Sequence, residues 1–512
     1  MMARANPYSA AKIKAGLLHF LLGKAFSSVA LILYFILLVR LLTIDEFAAY
    51  TILGGLVDVV GSITSVGLLH ILLRFVPELY AAHHHSALRS LLWRLFTGRV
   101  AVLMVSLVLM FATTTWLATG IGLANWQAEF KLYLPLILIR CIGTVLFMTL
   151  ESMLHQRSAQ TSMTLAAAIR LAGLGLLAYL DKVDLQTVLL LEIAADVASG
   201  AVMLMAFRNL VPQSNSEEQL KGSAWLKDNA HRMLDFGAKA YVQAMLLLPT
   251  GGSTDRLLVG ARLPSVDVAL FGFGQWVYDL MQRFLLAQLF VGLMRPIMNA
   301  RFSNHKEFDE IVMLSNVVLK INLVLIGVTT VAFCAGSGSF IAALTGGKYS
   351  ISALPLILLM CALIAFTSWR HVLDQVSHTV ERNEALIWAN AVYLLSVIPG
   401  VLALPVAGVY ALPISHVIGV VAGNFVMLWD LRRAGYIFRH DISSITLISA
   451  LSLLCCAWGS ALSRTHLHWI AAMAIAVLSF TIVIALNYVA KPSELKLLRS
   501  VLGSGQLQAK GA

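Results

Sequence analysis

Apolar runs of about 20 residues recur from one end of this chain to the other, and that recurrence limits the fold more than any other feature. Each run is long enough to cross the hydrocarbon core of a bilayer as a helix. Inside lipid the backbone must satisfy its own hydrogen bonds, so only helices and closed barrels span it. Barrel strands show as short alternating segments, and the chain has none of that pattern. Composition agrees: 59% of residues are hydrophobic, 12% are charged and the mean hydropathy is +0.82. A soluble domain carries about 25% charged residues. The expected fold class is an all-α integral membrane protein.

The hydropathy pattern predicts fourteen helices, at 16–39, 49–73, 95–118, 132–154, 161–179, 187–207, 236–260, 268–294, 312–334, 353–377, 385–404, 408–429, 443–463 and 468–489. The first run lacks a small-residue cleavage site, so it reads as a span and not a signal peptide. Alternate connections hold 22 Lys/Arg on one side and six on the other. The positive-inside rule puts the basic side, with both termini, in the cytoplasm. The formal net charge of +11 therefore reflects topology and not nucleic-acid binding. The longest polar loop, 208–235, falls between helices six and seven, and Trp225 suggests a short interfacial helix within it. It separates an N-lobe (1–207) from a C-lobe (236–433), with helices thirteen and fourteen and a tail beyond (434–512).

The two lobes match when the sequence is shifted by 221 residues. Asp58 then falls on Asp279, Arg74 on Arg295, Arg99 on Lys320 and Gly16 on Gly237. Charges are scarce here, so coincidences among them tell more than matched leucines. The shift spans an even number of helices, which makes this a parallel repeat about an axis along the membrane normal. Such repeats place a transported substrate near mid-membrane, where the copies meet.

Ionisable residues inside the spans are costly, roughly 2.5–3.5 kcal/mol or more at the bilayer centre, and usually mark a pathway. Asp279 and Arg283 lie mid-helix, four residues apart on one face; they suit either a cavity wall or an internal ion pair. Asp58 echoes Asp279. Lys24, Arg140 and Arg170 have no carboxylate nearby in sequence and are candidate phosphate contacts. Asp255 and Arg256 sit at a helix end, where a structural role fits equally well. Arg370 and Asp374, also four apart, suggest a pair. Glu192 and Asp196 share a face, either as a polar exit surface or as a cation site. The substrate-binding candidates are thus Lys24, Asp58, Arg140, Arg170, Arg256, Asp279 and Arg283, with Asp58 and Asp279 the candidates for coupling to H+ or Na+. No resident cofactor or metal is expected. The five cysteines lie in apolar runs with no CxxC pair, and consecutive His83, His84 and His85 cannot converge on one metal. The chain has no GxxxxGK[ST] loop, which argues against direct ATP use.

Three segments carry a family resemblance: VRLLTIDEFAAYTIL (39–53) with SVGLLHILLRFVPEL (65–79); STDRLLVGARLPSVDVALFGFGQWVYDL (253–280); and LTGGKYSISALPLILLMCALIAFTS (344–368) with the segment 381–411. In these the chain resembles the polysaccharide-exporter branch of the multidrug/oligosaccharidyl-lipid/polysaccharide (MOP) exporter superfamily. One departure is Ala48, where the family has glycine after the Phe47 position. The resemblance implies two six-helix bundles around a central cavity and two peripheral C-terminal helices. It implies a flippase of the bacterial inner membrane that moves an undecaprenyl-pyrophosphate-linked oligosaccharide to the periplasmic leaflet for exopolysaccharide, O-antigen or capsule synthesis. A polysaccharide polymerase and a chain-length regulator would be its partners. The alternatives are a multidrug antiporter of the same superfamily and, in another class, a membrane-embedded polysaccharide polymerase or ligase. The short external loops argue against an enzyme.

Overall fold

The computed structural model describes residues 10–210, 224–285, 308–380 and 382–487. The helices are α1 (Ala10–Leu41), α2 (Ile44–Ile63), α3 (Leu68–Ala81), α4 (His85–Ala112), α5 (Thr114–Gly120), α6 (Gln127–Ser152), α7 (Gln156–Tyr179), α8 (Leu185–Leu210), α9 (Ala230–Leu247), α10 (Gly252–Arg262), α11 (Ser265–Phe284), α12 (Phe308–Thr345), α13 (Leu354–Thr379), α14 (Asn383–Ala407), α15 (Ala411–Arg433), α16 (Ile442–Leu462) and α17 (Trp469–Leu486). No strand occurs among the described residues. Among the described residues eleven segments are long and apolar enough to cross a membrane, and one of them, Glu384–Arg433, covers α14 from Glu384 and all of α15. The remaining expected helices are the seventh, split into α9 and α10, and the eighth, of which α11 is the described part. The expected end of helix eight, Arg295, and loop residues 211–223 lie outside the described residues.

Three expected helices are broken, the second, the third (at Thr113, between α4 and α5) and the seventh, and the ninth overruns its expected end. The second was expected unbroken over 49–73, but the chain turns at 64–67 between α2 and α3. Hydropathy reads through this turn because Val66 and Leu68 continue the apolar run. Gly67 there adopts φ 76°. The seventh helix divides at Leu248–Thr250, a 3-10 turn around Pro249, which cannot donate to the preceding helical turn. The ninth, α12, runs on past its expected end and kinks at Ser337 (φ 45°, ψ −140°).

The chain forms two compact units, Met1–Ser265 and Val266–Ala512. In the first, Phe75 and Leu79 of α3, Leu88 and Leu91 of α4 and Val145 of α6 bury against Leu226. Leu226 belongs to a short helical stretch at 224–228 that also holds Trp225. The helices α9 and α10 also pack in this unit. A Cβ on Gly55 of α2 would lie 2.6 Å from the Ser253 carbonyl oxygen, so α2 and α10 cross at near backbone contact. In the second unit, Ile311 and Leu319 of α12, Leu373 and Val376 of α13 and Met427 of α15 form one core. Val331 and Ala335 of α12 pack with Cys455 of α16 and with Ala472, Ala476 and Phe480 of α17. The outer faces of α14, α16 and α17 expose Leu402, Leu453 and Leu478, as lipid-facing helices do.

The repeat reappears in the helix ends. The α1/α2 junction, Leu41 to Ile44, and the α10/α11 junction, Arg262 to Ser265, are separated by the same 221 residues as the matched charges. Arg99 and Lys320, paired by that offset, are both buried, at 2% and 3% exposure. Lys320 meets Asp441 at 2.6 Å. The first junction is held by a capping box. The Thr43 hydroxyl accepts from the Glu46 N–H at 3.3 Å, and a Glu46 carboxylate oxygen accepts from the Thr43 N–H at 2.8 Å. The other Glu46 oxygen accepts from the Leu185 N–H at 3.1 Å, tying the start of α8 to α2. Thr43→Ala should therefore cost about 1 kcal/mol, a drop of about 1–2 °C in the thermal midpoint of the purified protein.

Candidate functional site

The first unit contains an open cavity of about 670 Å³. Its wall includes Asp58, Gly61, Ser62 and Ser65 from α2 and the following turn, His70 from α3, Arg99 from α4, Arg140 and Cys141 from α6, Arg170 from α7, Asp196 from α8 and Ser253 from α10. The close crossing of α2 and α10 at Gly55 brings Ser253 to Asp58, whose carboxylate accepts from the Ser253 hydroxyl at 2.7 Å.

Behind one side of this wall lies a buried charge cluster. Glu192 and Asp196 are one helical turn apart and project from the same face of α8. Arg140 of α6 bridges them: Nη2 donates to Glu192 at 2.7 Å and Nε to Asp196 at 2.8 Å. Arg170 of α7 donates to the other Asp196 oxygen. The free Glu192 oxygen accepts from the Tyr50 hydroxyl at 2.6 Å and from that of Tyr34 at 3.1 Å. Arg140 Nη1 also reaches the Tyr133 hydroxyl at 3.3 Å. Side chains of α1, α2, α6, α7 and α8 thus share one network. It holds two guanidiniums and two carboxylates, so its formal charge is zero. The charge-assisted bonds satisfy groups that would be costly to bury alone.

Arg99 has a different environment. Its Nη2 donates to the Gly61 carbonyl at 2.7 Å, but Nε and Nη1 have no hydrogen-bond partner among the described residues. Cys141, a weak acceptor, lies beside it.

The other predicted residues lie elsewhere. Lys24, on α1, is outside this cavity wall and acts electrostatically on Glu151. Arg256, also outside the wall, packs across Gly54 and Gly55. Asp279 belongs to the second unit and accepts from the Gln275 amide at 3.0 Å. Arg283 is exposed at the end of α11, and no Asp279–Arg283 ion pair occurs among the described residues. The pair expected of Arg370 and Asp374 is present at 3.0 Å, with Arg370 also donating to Asn390 at 2.5 Å.

No family model matches the chain, and no curated protein matches it. Solved structures do. The lipid II flippase MurJ in an inward closed conformation superposes with a TM-score of 0.63 over 92% of this chain and 99% of its own, at 13% identity. A multidrug resistance MATE family transporter of the MOP superfamily, in an inward-facing conformation, superposes with the same TM-score over 80% of this chain and 94% of its own, again at 13% identity. The fold is that of MurJ and the MATE transporters.

The sequence marks Arg140 and Arg170 as cations without a nearby carboxylate, and the structure pairs them with Glu192 and Asp196. Glu192 and Asp196 were legible as one face of α8, yet nothing local says that α6 and α7 present arginines to it. Tyr34, Tyr50 and Tyr133 carry no sequence signal as a group. Arg99 was legible as an echo of Lys320, and its lack of a carboxylate was not.

Proposed function

We propose that this chain is a flippase that carries undecaprenyl-pyrophosphate-linked oligosaccharide units from the cytoplasmic to the periplasmic leaflet of the bacterial inner membrane. The single observation that carries the reading is the cavity of the first unit, walled by three arginines and hydroxyl side chains within an apolar helical body. A pyrophosphate–sugar headgroup needs a polar chamber, guanidinium forks match phosphate oxygens, and the prenyl chain can stay in lipid. Alternating access in this two-unit fold exposes the headgroup to each side in turn. Both termini lie in the cytoplasm on this reading, and a polysaccharide polymerase and chain-length regulator act downstream.

The test is a deletion strain. Single lipid-linked repeat units accumulating on the cytoplasmic leaflet support the flippase, and accumulation on the periplasmic leaflet points to a polymerase instead. A multidrug antiporter is the second reading, favoured by the MATE likeness and by Asp58, an exposed carboxylate suited to a cationic drug. Loss of drug resistance in the deletion strain, with polysaccharide intact, would select it.

Coupling is assigned to Asp58. In proteoliposomes, an imposed proton or sodium gradient should accelerate wild-type flipping, and Asp58→Asn should make the rate independent of the gradient. A wild-type rate that ignores both gradients removes this assignment.

A further inference from the structure

We propose that Arg99, and not Arg140 or Arg170, supplies the uncompensated positive charge that holds a pyrophosphate group in the cavity of the first unit. This inference rests on the flippase reading and adds the residue that meets the anion.

The argument is one of charge balance. Arg140 and Arg170 face the cavity, but their charges are already matched by Glu192 and Asp196 at ion-pair distance. An anion entering beside them meets a neutral cluster. Arg99 lies in the same wall, 2% exposed, and no carboxylate lies within ion-pair distance of it among the described residues. Among the described residues two of its three nitrogens meet no oxygen or nitrogen acceptor, and the group beside them is the weakly accepting Cys141 thiol. A guanidinium so buried is destabilising on its own, because one backbone carbonyl and a weakly accepting thiol replace only part of its lost hydration. A phosphate oxygen pair would supply both the charge and the acceptors that the Arg99 fork lacks. The surroundings suit that ligand. His70, whose Nδ1 is also buried without a partner among the described residues, and the hydroxyls of Ser62 and Ser65 are in the same wall. Asp58, on the neighbouring turn of α2, is the acidic group of this part of the wall; it keeps its negative charge while accepting from the Ser253 hydroxyl, and it makes no ion pair with Arg99 among the described residues. The repeat isolates the feature: Lys320, the counterpart of Arg99 in the second unit, has its carboxylate in Asp441.

The experiment is thermal unfolding and calorimetric titration of the purified full-length protein in detergent, with inorganic pyrophosphate as the probe. Wild type should bind pyrophosphate and unfold at higher temperature in its presence. Arg99→Met removes an unmatched buried charge, so its ligand-free midpoint should rise, while its pyrophosphate affinity falls by about tenfold or more and the ligand-induced rise disappears. Arg99→Lys keeps the charge without the fork and should bind with intermediate affinity. Arg382→Gln, which removes a positive charge from an Asp430 pair in the second unit, should bind as wild type does. Nanodiscs containing phosphatidylglycerol should not compete; competition would make a lipid headgroup the anion and overturn the assignment. An Arg99→Met protein that is less stable without ligand and keeps wild-type affinity would also overturn it. If wild type flips lipid-linked sugar but binds no pyrophosphate, this proposal ends and the flippase reading stands. If Arg99 binds pyrophosphate and nothing is flipped, the flippase reading alone ends.

Discussion

Replacing Arg140 with glutamine is expected to remove about 3–5 kcal/mol of stability, enough to unfold a marginal membrane protein during extraction. Glu192 is 2% exposed, and Arg140, 2.7 Å away, is its ion-pair partner. Without that guanidinium, a carboxylate remains buried with two tyrosine hydroxyls and no cation in contact. Asp196 fares better, since Arg170 still pairs with it. The double substitution Arg140→Gln/Glu192→Gln removes both charges and should recover most of the loss, because neutralising a buried pair is far less harmful than orphaning one member. Thermal unfolding by gel-filtration fluorescence reads both variants. A single substitution as stable as wild type, or a double no better than the single, would refute the network as described.

Gly67→Ala is expected to be the second severe change, and for reasons of space and backbone. Gly67 has φ 76°, in the left-handed region that side chains disfavour. A Cβ there would also lie 2.4 Å from the Gly237 carbonyl oxygen of α9, and backbone cannot yield as a side chain does. The variant must shift α9 away from the start of α3 or lose the turn between α2 and α3. Strain of this kind costs about 1–3 kcal/mol, before any loss of packing at Met233, which is buried on the same helix. The readout is again the thermal midpoint, with Gly120→Ala as control: nothing lies within 4 Å of its added Cβ. Equal midpoints for the two variants would show that the close approach at Gly67 does not matter.

Much of the fold was legible without coordinates. Apolar run length predicts the spans, and the 221-residue offset of scarce charges predicts the repeated α1/α2 and α10/α11 junctions. The breaks were only partly legible. Pro249 followed by Gly251 is a visible signal for the division of the seventh helix, whereas the turn at 64–67 hides in an unbroken apolar run. The candidate site was legible in its residue types and not in its pairings. Arg140 reads as a lone cation because its partners lie 52 and 56 residues away.

By itself the sequence determined that this chain lives in lipid as repeated helices and that certain spans carry charge, because hydropathy, length and spacing are properties of each segment alone. The tertiary structure decided which charges cancel. Each residue turns about 100° around a helix axis, so whether Arg140 meets Glu192 or empty space depends on how α6 and α8 are rotated and staggered against each other. That rotation is set by packing at distant contacts, and it left Arg140 neutralised and Arg99 without a counterion among the described residues.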